Sequence, residues 1–259
     1  QVAGHDAVVN LVAILHGTEA AFNHVHVELL QKLVRACQAT GVQRIVHVSA
    51  LGAAANAPSL YQRSKAAGEA VLTGSGLDVT ILRPSVVFGA DDQLLNLFAK
   101  LQNVFPAMPL AGADTRFQPV WVEDVAQALV NILLRKTCSE VKNNSALRNI
   151  YEACGPNIYT LKELVQLAGT LSGHSRPVIG LPAALGRLQA LFMEMAPGQP
   201  LMSRDNLDSM KVDNVASGRL PGLQALGIQP ASLQAIAPLY LGPGPGDAVL
   251  VRRKTAGRF

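Results

Sequence analysis

Arg44–Leu82 reads RIVHVSALGAAANAPSLYQRSKAAGEAVLTGSGLDVTIL, and the reading of its three parts decides the fold. RIVHVS at Arg44–Ser49 and DVTIL at Asp78–Leu82 are short runs rich in β-branched residues, each of strand character. Between them, Ser59 to Thr73 is long enough for a helix, entered from a loop that holds Gly52 and Pro58. Gly74-Ser-Gly76 lacks the Gly-x-Ser-x-Gly spacing of a hydrolase elbow and reads as the turn back into a strand. A crossover of this length predicts parallel pairing of its two strands. Upstream, AVVNLVAIL at Ala7–Leu15 is the near-continuous apolar run expected of a strand buried on both faces. From Thr18 a helix follows, with Phe22, Leu29, Leu33 and Cys37 on one face and an end at Thr40-Gly41. Strand, helix, strand, helix, strand predicts an α/β protein with a doubly wound parallel sheet covered on both faces.

Beyond Leu82 the pattern loosens. Gln93–Val104 predicts an amphipathic helix, Pro106–Asp114 a loop, and Phe117–Val122 the entry to a helix carrying Val125, Ala128, Leu129, Ile132 and Leu133. Asp124 reads as the cap of that helix. Arg148–Ala153 predicts one more strand, and Thr160-Leu-Lys-Glu163 is a capping box opening a helix to Leu171. Pro177–Pro182 is short and extended, Ala183–Met195 helical, and Ser203–Met210 and Ser232–Tyr240 predict small helices. Gly242-Pro-Gly-Pro-Gly246 reads as a linker before a basic tail.

Composition excludes other classes. The 259 residues are 49% hydrophobic and 15% charged, where soluble domains average roughly 25% charged. That excess of apolar residues can bury a large core, so global disorder is excluded. Each long apolar stretch is broken before a membrane-spanning length, by His16 after Ala7–Leu15 and by Arg187, Gln189 and Glu194 within Leu181–Met195. The net charge is 22 − 18 = +4, and residues 247–259 hold four bases and one acid, leaving +1 for the rest. Nothing in that distribution points to nucleic acid. Cys37, Cys138 and Cys154 are odd in number and widely spaced, the pattern of reduced thiols in a cytoplasmic compartment. His24 and His26 are two apart and point to different sides of a helix, so no metal site is expected.

Tyr61-Gln-Arg-Ser-Lys65 is the sharpest candidate for chemistry. A spacing of four puts both side chains on one face, where the Lys65 ammonium favours phenolate at Tyr61 and prepares it for proton exchange. Val48-Ser49 ends one strand and Leu82-Arg83-Pro84-Ser85-Val86-Val87-Phe88-Gly89 follows the next, so three segments converge on the crevice at the strand ends. Asp6 to Gly155 resembles the extended or atypical short-chain dehydrogenases, a Rossmann-type family, through Asn10–Ala13, Val25–Glu28, Val48-Ser49, Tyr61 with Lys65, Arg83–Gly89 and Val120–Asp124. HVSALGA at His47–Ala53, PLMSRDNLDSMKVDNV at Pro200–Val215 and LPGLQALGI at Leu220–Ile228 narrow the resemblance to bacterial members of the family of complex I alpha-subcomplex subunit nine.

The resemblance implies an NAD(P) cofactor, with NADP(H) slightly favoured. It gives Tyr61 the proton-transfer place and Lys65 the nicotinamide ribose. Val48, Ser49 and the backbone of Arg83, Pro84, Ser85 and Val86 would border the nicotinamide, and Leu11, Val12 and Ala13 the adenosine side. It implies a Rossmann core at 1–90 and 117–154, a smaller, mainly helical lobe at 91–116 and 155–241, and a linker and tail at 242–259. Two departures stand out: Ala50-Leu51 occupy places where the enzymes carry a second Ser or Thr, and the Gly-x-x-Gly-x-x-Gly turn is absent. The family places Ala7–Leu15 as its fourth strand, so three strands and two helices, roughly 60 to 70 residues, are expected upstream of Gln1.

Two functional classes follow. One is an NAD(P)-binding accessory protein linked to respiratory complex I or to membrane-surface quinone proteins, cytoplasmic and peripheral at the inner face of the cell membrane. The other is an active oxidoreductase or sugar-nucleotide epimerase or dehydratase using Ser49, Tyr61 and Lys65.

Overall fold

The computed structural model describes residues 2–135, 149–195 and 202–242. Its main sheet joins β1 (Ala7–Asn10), β2 (Arg44–Val48), β3 (Asp78–Pro84) and β8 (Ile150–Ala153) in the order β1-β2-β3-β8, all parallel. Alternation along the strands sends Ile45 and Ile81 to one face and Val46 and Leu82 to the other. Leu30, Val34, Cys37 and Leu72 cover the first face, from α2 (Leu29–Thr40) and α3 (Leu60–Thr73). Val125, Ala128 and Ile132 of α5 (Val122–Leu134) cover the second, together with Leu223, Leu226 and Ile228. Both faces are therefore dry, as the apolar strand runs require.

The first strand is shorter than its apolar run. Pairing stops at Asn10 opposite His47, and Leu11, Val12 and Leu15 are exposed in the loop that follows. Hydrophobicity alone did not mark that end, because no partner strand lies beside residues 11–15. The next helix also differs from expectation. Thr18 caps α1 (Glu19–Asn23), then His24–Glu28 form a π turn before α2, which ends at Gly41 with φ +76°. The wider turn shifts the inward face by one residue, so Phe22, His26, Leu30, Val34 and Cys37 are buried, while Leu29 and Leu33 are only half-buried. Gly68 of α3 makes this approach possible, because a Cβ there would fall 2.3 Å from the His26 carbonyl oxygen.

A second core joins α4 (Leu95–Val104), β5 (Met108–Ala111) and α6 (Leu161–Leu171) with Leu233, Ala237 and Leu241 from α9 (Leu233–Ile236), Ala237 and α10 (Pro238–Leu241). The predicted loop at Pro106–Asp114 contains β5, whose parallel partner β10 (Val178–Leu181) lies far along the chain. A long-range partner of this kind leaves no local signal, and Pro109 argued against a strand. The capping box at Thr160 and Glu163 forms as expected. The helices α7 (Ala183–Met195) and α8 (Arg204–Ser209) follow, the latter capped by Ser203. The short pair β4 (Val87–Phe88) with β7 (Val120–Trp121) links the two cores, and β6 (Arg116–Phe117) pairs with β9 (Tyr159–Thr160) within the second. Leu220–Ile228 lies within the span expected for the smaller lobe, yet it returns to the main sheet, where the Glu152 amide donates to the Pro221 carbonyl at 2.9 Å.

Asp124 is not a cap. It lies in the first turn of α5 behind the N-cap Trp121, and its Oδ2 accepts the Ala231 amide at 2.8 Å. The buried carboxylate thus ties the segment before α9 to the first core. Cys37 and Cys154 are buried free thiols, and burial pushes the Cys154 thiol up to about 12. Cys138, the linker beyond Gly242 and the basic tail lie outside the described residues.

Candidate functional site

The carboxyl ends of β2 and β3 are locked together before the chain leaves the sheet. The Ser49 amide donates to Leu82 O at 2.8 Å, the Leu51 amide to Pro84 O at 2.9 Å, and the Ser85 amide to Ala153 O at 2.9 Å. These bonds leave the Ser49 hydroxyl buried without a partner. A buried hydroxyl with no partner is unusual in a protein interior, and this one lies at a carboxyl strand end, where open α/β sheets hold ligands.

The α3 helix brings Lys65 to the same place. Lys65 is 1% exposed, and its Nζ donates to Val48 O at 2.8 Å. Burial lowers its pKa to about 8, opposed by the carboxylate of Glu69. Tyr61 lies one turn earlier but in a different environment. Its ring meets Phe22 edge-on at 6.2 Å and His26 at 5.7 Å, and burial raises the phenol to about 12. Packing against these rings takes the phenol out of water, which disfavours phenolate. The start of α3 is held from the far end of the chain, since both Asp205 oxygens accept amides, from Leu60 at 2.6 Å and Tyr61 at 3.0 Å. Replacing Asp205 with Ala should cost about 1–2 kcal/mol, the range of a lost charged cap. Urea denaturation of the variant tests this, and an unchanged midpoint would show that the cap adds nothing.

The remaining predicted residues divide. Arg83 turns away from the strand end to form a two-pronged pair with Glu69 of α3, with Nε to Oε1 at 2.9 Å. The Ser85 hydroxyl donates to Asn214 Oδ1 at 2.6 Å, and the Val86 carbonyl accepts the Val120 amide at 3.0 Å. Pro84 and Val86 thus reach the crevice through backbone, while Ser85 fastens the C-terminal segment. Leu11, Val12 and Ala13 are exposed at the open edge of β1. The structure gathers Val48, Ser49, Lys65 and the Arg83–Val86 backbone, leaves Leu11–Ala13 on a separate rim, and turns the Tyr61 ring toward Phe22 and His26.

Two buried histidines were missed as part of this site. His47 Nδ1 lies 3.0 Å from Asn10 Nδ2, across the register that pairs these residues. His26 contacts Ser64 of α3. Burial, with the nearby Lys65 charge, lowers His47 to about 3 and His26 to about 4, so both rings are neutral at pH 7. Polar residues within otherwise apolar runs were the available signal. Among the described residues, no group of three or more His, Cys, Asp or Glu side chains is placed to hold a metal.

A parallel sheet covered on both faces, with Lys65 and Ser49 at the carboxyl ends of its strands, is the class of fold in which open α/β proteins hold a ligand at the strand ends. Residues 1–136 match the NAD(P)H-binding family model, and the chain belongs to that family. It is 32% identical over 215 residues to the mitochondrial NADH dehydrogenase (ubiquinone) 1 alpha subcomplex subunit 9 of Rattus norvegicus, covering 82% of this chain and 55% of the relative. It is 28% identical to the NADH-ubiquinone oxidoreductase 40 kDa subunit of Neurospora crassa, covering 91% of this chain and 60% of the relative. The chain thus spans little more than half the length of these relatives. In fold it is similar to the dTDP-glucose 4,6-dehydratase of Streptomyces venezuelae, solved with NAD bound, at a TM-score of 0.65 and 20% identity, covering 93% of this chain and 73% of that one. No helix among the described residues is long and apolar enough to cross a membrane.

Proposed function

We propose that this protein binds NAD(P) as an accessory protein, linked to respiratory NADH:ubiquinone oxidoreductase or to quinone metabolism, rather than turning over a substrate. The observation that carries the reading is the setting of Tyr61, whose ring packs edge-on against Phe22 and His26. Burial there moves the phenol above its ordinary range, away from proton exchange near neutral pH. Ala50 and Leu51 beside Ser49 offer no second hydroxyl for a substrate oxygen. The names of the relatives support the link to complex I, and the resemblance favours NADP(H) over NAD. In this reading the protein is cytoplasmic and peripheral at the inner membrane face, with 1–90 and 117–154 binding the cofactor and 91–116 with 155–241 facing a partner.

Lys65 and Ser49 fit the nicotinamide ribose end of a dinucleotide. The ammonium donates to hydroxyls, and the orphaned Ser49 hydroxyl gains a partner. When bound, the cofactor supplies hydride exchange at its nicotinamide. The alternative is an active oxidoreductase or epimerase using Tyr61 and Lys65, favoured by the proximity of Lys65 to Ser49 at one strand end. Fluorescence titration with NADPH and NADH, then turnover across a quinone and sugar-nucleotide panel, separates the two. We expect Tyr61→Phe to bind within about twofold of the parent and Lys65→Ala at least about tenfold more weakly, with no turnover by the parent. A measured turnover that Tyr61→Phe abolishes would establish the alternative.

A further inference from the structure

His26 has both ring nitrogens engaged, and the partners dictate its tautomer. The Ile14 amide donates to Nε2 at 3.2 Å, while Nδ1 lies 2.8 Å from Ser64 Oγ. An amide can only donate, so Nε2 is unprotonated and the proton resides on Nδ1, which donates to Ser64. The Ser64 hydroxyl then donates to the Tyr61 carbonyl at 2.8 Å. Three hydrogen bonds therefore run in one direction, from the loop after β1 to the turn of α3 between Tyr61 and Lys65.

The surroundings make this geometry specific. His26 sits in the π turn, the local widening that rotates it inward to 2% exposure. Phe22 stacks on its ring at 5.6 Å, and Tyr61 meets it edge-on at 5.7 Å. The loop has little else to hold it. Among the described residues, the bond from Ile14 to His26 is the one hydrogen bond made by the Leu11–His16 backbone, and Leu11, Val12 and Leu15 expose 60%, 53% and 55% of their surface.

We propose that His26 is a positioning residue, a latch that holds the Leu11–His16 loop against α3 so that Leu11–Ala13 and Lys65 keep a set spacing along the dinucleotide. The proposal rests on the dinucleotide-site reading above and adds the element that joins its two walls. His26 acts through Ile14 and Ser64.

Nitrogen-15 spectra should show His26 as the Nδ1–H tautomer. His26→Phe keeps a ring against Phe22 and Tyr61 but removes both bonds. In that variant, exchange of the Ile14 amide should rise at least about tenfold and binding of NADPH or NADH weaken about tenfold. His26→Gln, which returns an acceptor toward Ile14, should recover most of both. Ser64→Ala leaves the imidazole in place, should give an intermediate loss, and decides the matter if His26→Phe fails to fold. An Nε2–H tautomer would overturn the proposal, as would Ile14 exchange within about twofold of the parent in the folded variants. Faster exchange with unchanged affinity would also overturn it, because the latch would then position nothing. A parent that binds neither dinucleotide defeats the site reading itself, whereas a parent that binds and a variant that binds equally well defeats the latch alone.

Discussion

Between pH 7 and pH 5 the protein should lose about 4 kcal/mol of stability, roughly 2 kcal/mol from each of its two buried histidines. The sign follows from where each proton binds. In the unfolded chain His26 and His47 titrate near 6.5, but in the folded protein burial and the Lys65 charge hold them at about 4 and about 3. Stability from the neutral rings is complete above the unfolded value. As pH falls below 6.5 the unfolded chain takes up protons that the folded chain refuses, and the loss continues until the folded values are reached. The groups acting on these rings are Lys65 and Ser64 of α3, Asn10 of β1, the aromatic rings of Phe22 and Tyr61 and, for His47, the His26 ring, and none of these carries a negative charge that would reverse the effect. Urea midpoints measured from pH 7.5 to pH 5 check this. His26→Gln should remove about one proton from the slope, and a flat profile in the parent would show that the rings accept protons without unfolding.

Replacing Glu69 with Ala should destabilise the protein by about 3–5 kcal/mol, the range for breaking one half of a buried ion pair. Glu69 and Arg83 have side chains 7% and 19% exposed, and the guanidinium pairs with both carboxylate oxygens. Removing the carboxylate leaves a largely buried cation with no acceptor at the boundary between α3 and β3. Glu69 also opposes the lowering of the Lys65 pKa, so its loss should bring Lys65 below about 8. A double-mutant cycle with Arg83→Met separates the pair from the remainder. If Glu69→Ala alone costs less than about 1 kcal/mol, the pair behaves as an exposed one and contributes little.

The site was legible where chemistry and spacing coincide. Tyr61 and Lys65 stand one turn apart on a helix bounded by the loop with Pro58 and the turn at Gly74, and the crevice at the ends of β2 and β3 follows from strand order. Asp205 was not legible, since it caps α3 from more than 140 positions away. Asn214 on Ser85 and Ala231 on Asp124 are further bonds of this kind. Such contacts join residues with no shared period or spacing, so periodicity gives no hint of them.

By itself the sequence determined the parallel sheet and the covering helices, because alternation along strands and the helical repeat are written in local order. It also determined the pairing of Thr160 with Glu163, because that capping box reaches only three residues. Tertiary structure decided the electrostatic state of the site. Whether Lys65 activates Tyr61 depends on what surrounds the phenol, and the His26 ring reaches it from a π turn whose backbone packs close against Gly68. A pKa is set by the balance of burial and charge in three dimensions, and no spacing along the helix could show that the Tyr61 ring packs on Phe22 and His26 while Lys65 is buried against Val48.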